Sequence, residues 1–245
     1  MNRPHDTASG AGRCAPTAVA PAVANGRSQP TLDSLMELGI GGVTVKPGDH
    51  ICAFYRGAAG RDEILIPYFA KGLEDGDKCI CIVDGADRRG VMDRLQTEIL
   101  HRGGAVDNQL EVLDFGETYL RGGRFSQEEW FDHLDQSMSR VIREEGYTVA
   151  RVSGDAAFAV IKTCPVVDEL MAYEAKVNWF APRYPQILLC LYDLELFTGE
   201  LVIDVLKTHP KVLLNNMVVE NPYYVKPEDF LATRGVTGGP SVAMS

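Results

Sequence analysis

Between residues 50 and 193, short apolar runs alternate with longer amphipathic ones. The short runs are HICAFY (50–55), KCICIVD (78–84), LEVLDF (110–115), TVARVSG (148–154) and ILLCLYD (187–193). Between them lie DEILIPYFAKGLEDG, ADRRGVMDRLQTEILHRG, SQEEWFDHLDQSMSRVIREEG and VVDELMAYEAKVNWFAPRY, with apolar residues at three- and four-residue spacing, as in Trp130, Leu134, Met138, Val141 and Ile142. The first, second and last short runs are almost continuously apolar, the mark of strands buried on both faces of a parallel sheet. Strands linked by helical crossovers predict an α/β, doubly wound, mostly parallel sheet between two helical layers. A further helix, LVIDVLKTH, follows and leads to Pro210 and a VLLNN run.

The flanks read differently. Residues 1–30 are rich in Ala, Pro, Gly, Ser and Thr and are expected to be disordered, as is the tail 232–245. Residues 31–44, containing TLDSLMELGIGG, are expected to form a short helix and linker, the helix stopped by Gly39, Gly41 and Gly42. One domain over 45–231 remains. A net charge of −10 without a basic stripe argues against direct nucleic-acid binding. No apolar run is long enough to span a membrane. Six cysteines in a chain of this size fit buried thiols of a cytoplasmic protein; Cys14 and Cys164 suggest no site, and Cys79 and Cys81 are expected in the core.

In such folds ligands bind at the carboxyl ends of the strands. Those ends carry Tyr55, Asp84, Asp114, Gly154 with Asp155, and Tyr192 with Asp193. GDHICAFYRGAAGRDEILIPYF (48–69) reads as a buried strand, a small-residue turn and the start of a helix, where a phosphate-cradling loop would lie. Laid on that pattern, Tyr55 stands at the first glycine, Gly60 at the second, Arg61 at the lysine and Asp62 at the hydroxyl residue. Guanidinium is not ammonium, and Asp62 removes a magnesium ligand. Asp62 and Glu63 are expected at the helix start, where they would act as built-in anions. The segment reads as a degraded P-loop, and ATP remains an alternative ligand.

Other constellations are sparse. His50 and Cys52 share a strand face, and Cys190 and His209 would join them if their segments are neighbours. That set suits a zinc-like metal; the other reading is packed thiols with histidines bonded to backbone. Asp155 and Glu174 form an acid pair only if the fold brings them together. Glu174 and Asn178, four residues apart, share a helix face. No G-x-S-x-G elbow is present, since Ser153-Gly154 lacks its first glycine, and nothing requires an enzyme. NPYYVKPEDFL (221–231) reads as an ordered turn and short helix that pins the terminal segment; the sharper reading is a lid or partner surface.

His50-Ile-Cys52-Ala-Phe54-Tyr55, PYFAKGLEDGDKCICIVD, GRFSQEEW, RVSGD, YEAKVN, LCLYD, THP and NPYYVKPEDFL resemble, in order, the MEDS domain, the methanogen/methylotroph sensory domain of dichloromethane-responsive regulators. The resemblance covers roughly 45–231. It implies a RecA/KaiC-like three-layer fold that senses a small organic molecule, often a hydrocarbon derivative, without a cofactor. It implies a ligand site of Tyr55, Asp155, Glu174 and Tyr192, with Glu174 and Asn178 as polar anchors and His50, Cys52 and Cys190 behind. Gly154-Asp155-Ala156-Ala157-Phe158 departs from the family's Gly-Glu-Met-aromatic, so the pocket shape is expected to differ. No DNA-binding or kinase module is visible here, so output is expected through a separate regulatory protein or a homo-oligomer. The alternatives are an ATP-type regulatory protein and a ligand-free interaction module.

Overall fold

A computed structural model describes residues 30–103, 108–160 and 166–236. Residues 1–29 and 237–245, with Cys14 and Cys164, lie outside the described residues. The expected sheet is present. Strands β3 (His50–Tyr55), β4 (Lys78–Val83), β5 (Leu110–Asp114), β6 (Ala150–Asp155), β7 (Gln186–Asp193), β8 (Lys211–Leu214) and β9 (Met217–Glu220) are ordered β5-β4-β6-β7-β3-β8-β9. All pairings are parallel except β8 with β9. Asn215 and Asn216 join those two at φ 48° and 61°, a two-residue turn that asparagine tolerates.

Helices cover both faces. One layer holds α1 (Gly57–Asp75) and α2 (Gly85–His101), which bury Leu65, Phe69, Val91 and Leu95 against β-strand residues such as Ile51, Cys79, Cys81 and Leu189. The other holds α3 (Gln127–Ser139), α4 (Val167–Phe180), α5 (Gly199–Thr208) and α6 (Pro227–Thr233), which bury Trp130, Met138, Leu170, Val205 and Phe230. Cys79 and Cys81 are core, as expected. Asn221 pins the C-terminal segment, its amide donating to the Leu206 and His209 carbonyls at 2.5 and 2.7 Å. The expected tail must be shortened: α6 runs through Ala232 and Thr233, and Arg234 pairs with Asp168 and Asp204 at 2.6 and 2.5 Å.

The helix expected within 31–44 is also corrected. The segment forms a hairpin, β1 (Met36–Glu37) with β2 (Thr44–Val45). Gly39 at φ 94° lies so close to α1 that a Cβ there would collide with the Pro67 carbonyl and the Lys71 side chain. Those glycines build a turn rather than stop a helix. The buried Arg151 of β6 explains the preference. Its guanidinium donates to the Leu38 and Glu37 carbonyls at 3.0 and 2.8 Å, which a helix would hold for itself. It also pairs with Asp77 at 2.8 Å and Asp75 at 3.3 Å and lies over the Tyr68 ring.

Arg151→Ala leaves two carboxylates facing an apolar layer, and removing one partner of a buried ion pair costs about 3–5 kcal/mol. Urea unfolding should show a loss of that size, and Arg151→Lys should recover only part, because one ammonium cannot fork to both carbonyls. A loss below about 1 kcal/mol, the value of an exposed pair, would sink this reading of Arg151.

Candidate functional site

The junction of β3 and α1 differs from the expected loop. Only Arg56 separates Tyr55 from Gly57, so α1 starts five residues before Asp62 and has no acidic residue in its first turn. The expectation that Asp62 and Glu63 sit as anions at the helix start is therefore corrected. The nearby carboxylate belongs to Asp193, which accepts from the N–H of Gly57 at 3.5 Å and of Glu195 at 2.9 Å. Gly60, Arg61 and Asp62 lie in the helix body. Arg61 is buried among three carboxylates: Asp87 at 2.5 Å, Asp62 at 3.3 Å and Asp155 at 3.9 Å. Its charge is engaged inside the protein.

The other strand ends are likewise used locally. Asp84 caps α2 through the Ala86 N–H, and Asp114 accepts from Gly116. Asp155 accepts from the Ala157 N–H and the Tyr55 hydroxyl, both at 2.9 Å. Burial pushes the Asp155 carboxyl up to about 6, against the pull of those two bonds and Arg61. Burial first, then Asp155, raises the Tyr55 hydroxyl strongly.

Strand alternation divides the expected ligand site. Tyr55 and Asp155 face the α1–α2 layer, while Cys52 and Tyr192 belong to the opposite core. Glu174, from α4, joins that second group. The set Tyr55, Asp155, Glu174 and Tyr192 therefore does not line one pocket, and Asp155 and Glu174 do not form an acid pair. The sheet stands between them.

On the α4 side four chemical groups converge. His50 from β3, Glu174 from α4, Cys190 from β7 and His209 just after α5 place one ligand atom each within 4.8 Å of all the others. His50 Nε2 lies 3.2 Å from Glu174 Oε2 and 3.3 Å from Cys190 Sγ. Glu174 Oε2 lies 3.6 Å from His209 Nε2 and 3.7 Å from Cys190 Sγ. The adjacency of β3 and β7 makes this possible, with Cys52 the register partner of Cys190. Three of the four metal candidates read from the sequence meet here. The fourth, Cys52, is instead 3.6 Å from the Lys211 carbonyl, and Glu174 completes the cluster.

The surroundings orient both imidazoles. The Asn178 amide nitrogen donates to the Glu174, Ala175 and Thr208 carbonyls at 3.3, 3.0 and 2.8 Å, which turns its oxygen to His50 Nδ1 at 3.1 Å. His50 Nδ1 therefore carries a proton. His209 Nδ1 lies 2.8 Å from the Val205 carbonyl, so it too is protonated. Both Nε2 atoms face inward. Burial, then the neighbouring His50 ring, lowers His209 to about 3, which keeps its imidazole neutral. Burial works against the Glu174 carboxylate, but the hydrogen bond from His50 and the two imidazoles beside it outweigh burial and hold Glu174 below its usual range.

One aromatic layer separates this cluster from a surface cleft. Tyr119 stacks on Phe158 at 4.5 Å and leans on Trp130 at 4.6 Å. Its hydroxyl occupies the space a Cβ at Gly154 would need, and Gly154 is the register partner of Cys190. Trp130 donates to the Tyr173 hydroxyl at 3.0 Å, one residue before Glu174. Tyr119 and Trp130 also line a cleft of about 310 Å³ with Arg121, Arg124, Glu129 and His133. Sequence reading missed this cleft; GRFSQEEW marked its position, but the contacts made by Tyr119 are not periodic in the chain.

Residues 49–210 match the sequence profile of MEDS, the methanogen/methylotroph, DcmR sensory domain. The chain belongs to the MEDS family. Over 171 residues it is 25% identical to the transcriptional repressor DcmR of Methylorubrum extorquens (strain DSM 6343 / CIP 106787 / DM4), covering 69% of this chain and 61% of that protein. It thus spans about three fifths of that relative's length. A KaiC-like protein of the hyperthermophilic archaeon Pyrococcus horikoshii OT3 is similar in structure, with a TM-score of 0.46, 12% identity, and coverage of 73% of this chain and 79% of that one. This MEDS chain has, among its described residues, no helix long and apolar enough to cross a membrane.

Asp155 generates a pH prediction. Its folded-state carboxyl titrates at about 6 rather than 3.8, so its contribution to stability is present below about 4 and is lost as pH rises through about 6. The charged or titratable groups around it include Tyr55 from β3, Cys81 from β4, Arg61 from α1, Tyr119 from the β5–α3 connection and Asp193 from β7. The stability of wild type relative to Asp155→Asn should therefore fall between about pH 4 and pH 7. A difference that stays constant in thermal unfolding across that range would exclude a raised Asp155.

Proposed function

We propose that this MEDS chain is the sensory part of a regulator. A small organic molecule binds the cleft between the β5–α3 connection and α3, and the response passes to a separate regulatory protein. The observation that carries this reading is the aromatic layer of Tyr119, Phe158, Trp130 and Tyr173. It forms the cleft wall on one side and abuts Gly154 and Glu174 on the other. The cleft volume falls at the small end of ligand pockets, and its rim of Arg121, Arg124, Glu129 and His133 suits a molecule with an apolar body and one polar group. Membership of a family of sensory domains and likeness to a transcriptional repressor support the regulatory half of the proposal. A soluble protein of the cytoplasm fits both.

An ATP-type reading has less support. A one-residue connection leaves little room for phosphates, and Arg61 is engaged by Asp62, Asp87 and Asp155. It predicts saturable ATP binding that weakens in Arg61→Ala.

The chain has two tryptophans, so Trp179→Phe leaves Trp130 as sole reporter. Titration with short alcohols, amines, carboxylates and haloalkanes should give a saturable change in Trp130 emission for at least one class. His133→Ala, which removes the ring stacked 5.2 Å from Trp130, should weaken that binding about tenfold, roughly 1.4 kcal/mol. Compounds that raise the melting temperature without changing Trp130 emission would move the site elsewhere. A panel with no binder, or a response to ATP alone, would overturn the proposal.

A further inference from the structure

The cluster of His50, Glu174, Cys190 and His209 is not used by the sensory reading, and its atoms are arranged in an unusual way. With both Nδ1 atoms donating outward, three acceptors face one another: two imidazole Nε2 atoms and the Glu174 carboxylate. The Cys190 thiol lies 3.7 Å from Glu174, and the Tyr192 hydroxyl, 3.5 Å from His209, also bonds Glu174. A buried carboxylate against two imidazoles calls for a positive charge: a second proton on His50, donated from Nε2 to Glu174, or a metal ion.

Geometry chooses between these. Zinc is bound tetrahedrally at about 2.0–2.3 Å by nitrogen, oxygen and sulfur, which sets the ligand atoms roughly 3.3–3.8 Å apart. Four of the separations here are 3.2, 3.3, 3.6 and 3.7 Å. The other two separations are within 4.8 Å, so the four atoms surround one centre, whereas a shared proton needs only two of them. The outer contacts match as well. Metal-bound histidines hand their second N–H to a carbonyl or similar acceptor, as His209 does to Val205 and His50 does to Asn178. His50, Glu174 and His209 are all within 3% of full burial, so the ligands are fixed by the core rather than by a loop.

We propose that His50, Glu174, Cys190 and His209 are the four ligands of a resident divalent metal ion of the zinc class. Two imidazoles and a thiolate exclude magnesium and calcium, which take oxygen. Four protein ligands leave no open position, so the ion is structural: it ties β3, β7, α4 and the turn after α5 across the α4-side core. Binding releases the Cys190 proton to solvent, and because the ligands come from distant parts of the chain, the ion adds directly to folding stability. Cys52 takes no part. This inference stands apart from ligand sensing, since either can fail alone.

The test uses the whole chain, freed of any histidine tag and purified without chelator. Elemental analysis should find close to one zinc per chain. Refolding with cobalt(II) in place of zinc should give the intense visible bands of tetrahedral cobalt and a near-ultraviolet thiolate-to-cobalt band. Cys190→Ser should lose the thiolate band, whereas Cys52→Ser should keep it. Asn178→Leu, which frees the His50 ring, should weaken cobalt affinity roughly 10–100-fold with the bands retained. If Cys190→Ser does not fold, the Cys52 and Asn178 variants still decide. Loss of the band in Cys52→Ser would overturn the ligand assignment. Metal-free protein whose melting temperature ignores added zinc, or weak octahedral cobalt bands, would overturn the site itself.

Discussion

A parallel sheet covered on both faces sends successive side chains of each strand into different layers, and that alternation governs everything else in this chain. In β3, His50 and Cys52 enter the α4-side core while Ile51 and Tyr55 enter the α1–α2 side. In β7, Cys190 and Tyr192 go one way and Leu189 and Leu191 the other. Residues that look close in sequence, such as Tyr192 and Asp193, serve opposite layers. The Asp155–Tyr55–Arg61 group and the His50–Glu174–Cys190–His209 group are therefore separate chemical environments with the sheet between them.

Each layer also has to neutralise what it buries, because an unpaired charge in such a core is expensive. Arg151 is answered by Asp75, Asp77 and two carbonyls of the N-terminal hairpin, and Arg61 by three carboxylates. In both cases the buried cation organises the chain around it: Arg151 fixes the hairpin to the sheet, and Arg61 ties α1 to α2 and to the end of β6. The α4-side cluster is the exception. It carries an acid without a permanently charged base, and that imbalance singles it out from the other buried polar groups.

Much of the fold was legible because it rests on periodicity. The five apolar runs became β3 to β7, and the amphipathic stretches became α1 to α4 with modest shifts at their ends. The hairpin at 36–45 was not legible, since its glycines read equally as a helix stop, and the residue that decides, Arg151, lies more than a hundred positions away. The start of α1 at Gly57 was hidden for a related reason: the phosphate-loop pattern supplied a loop that the chain does not make. Of the site, the pairing of His50 with Cys190 and His209 followed from adjacent strands. That Glu174 replaces Cys52 depends on how α4 rotates against the sheet, which strand spacing cannot report.

The strand ends, where ligands of open α/β sheets usually bind, are occupied here by the protein's own carboxylates: Asp84, Asp114, Asp155 and Asp193 each accept a local N–H. Those amides are already satisfied, so a ligand there would have to displace an internal bond. The α3 side is different. Its cleft ends on aromatic rings, which offer area and polarizable faces without demanding a fixed hydrogen bond. Behind those rings stands the sheet at Gly154, where the missing side chain allows Tyr119 to approach the backbone. A ligand that shifts Tyr119 or Trp130 thus presses on β6 and, through Tyr173, on α4, the helix that carries Glu174. A metal ion at Glu174 would make that inner wall rigid, so displacement in the cleft would be passed sideways to α3 and the surface rather than absorbed by the core.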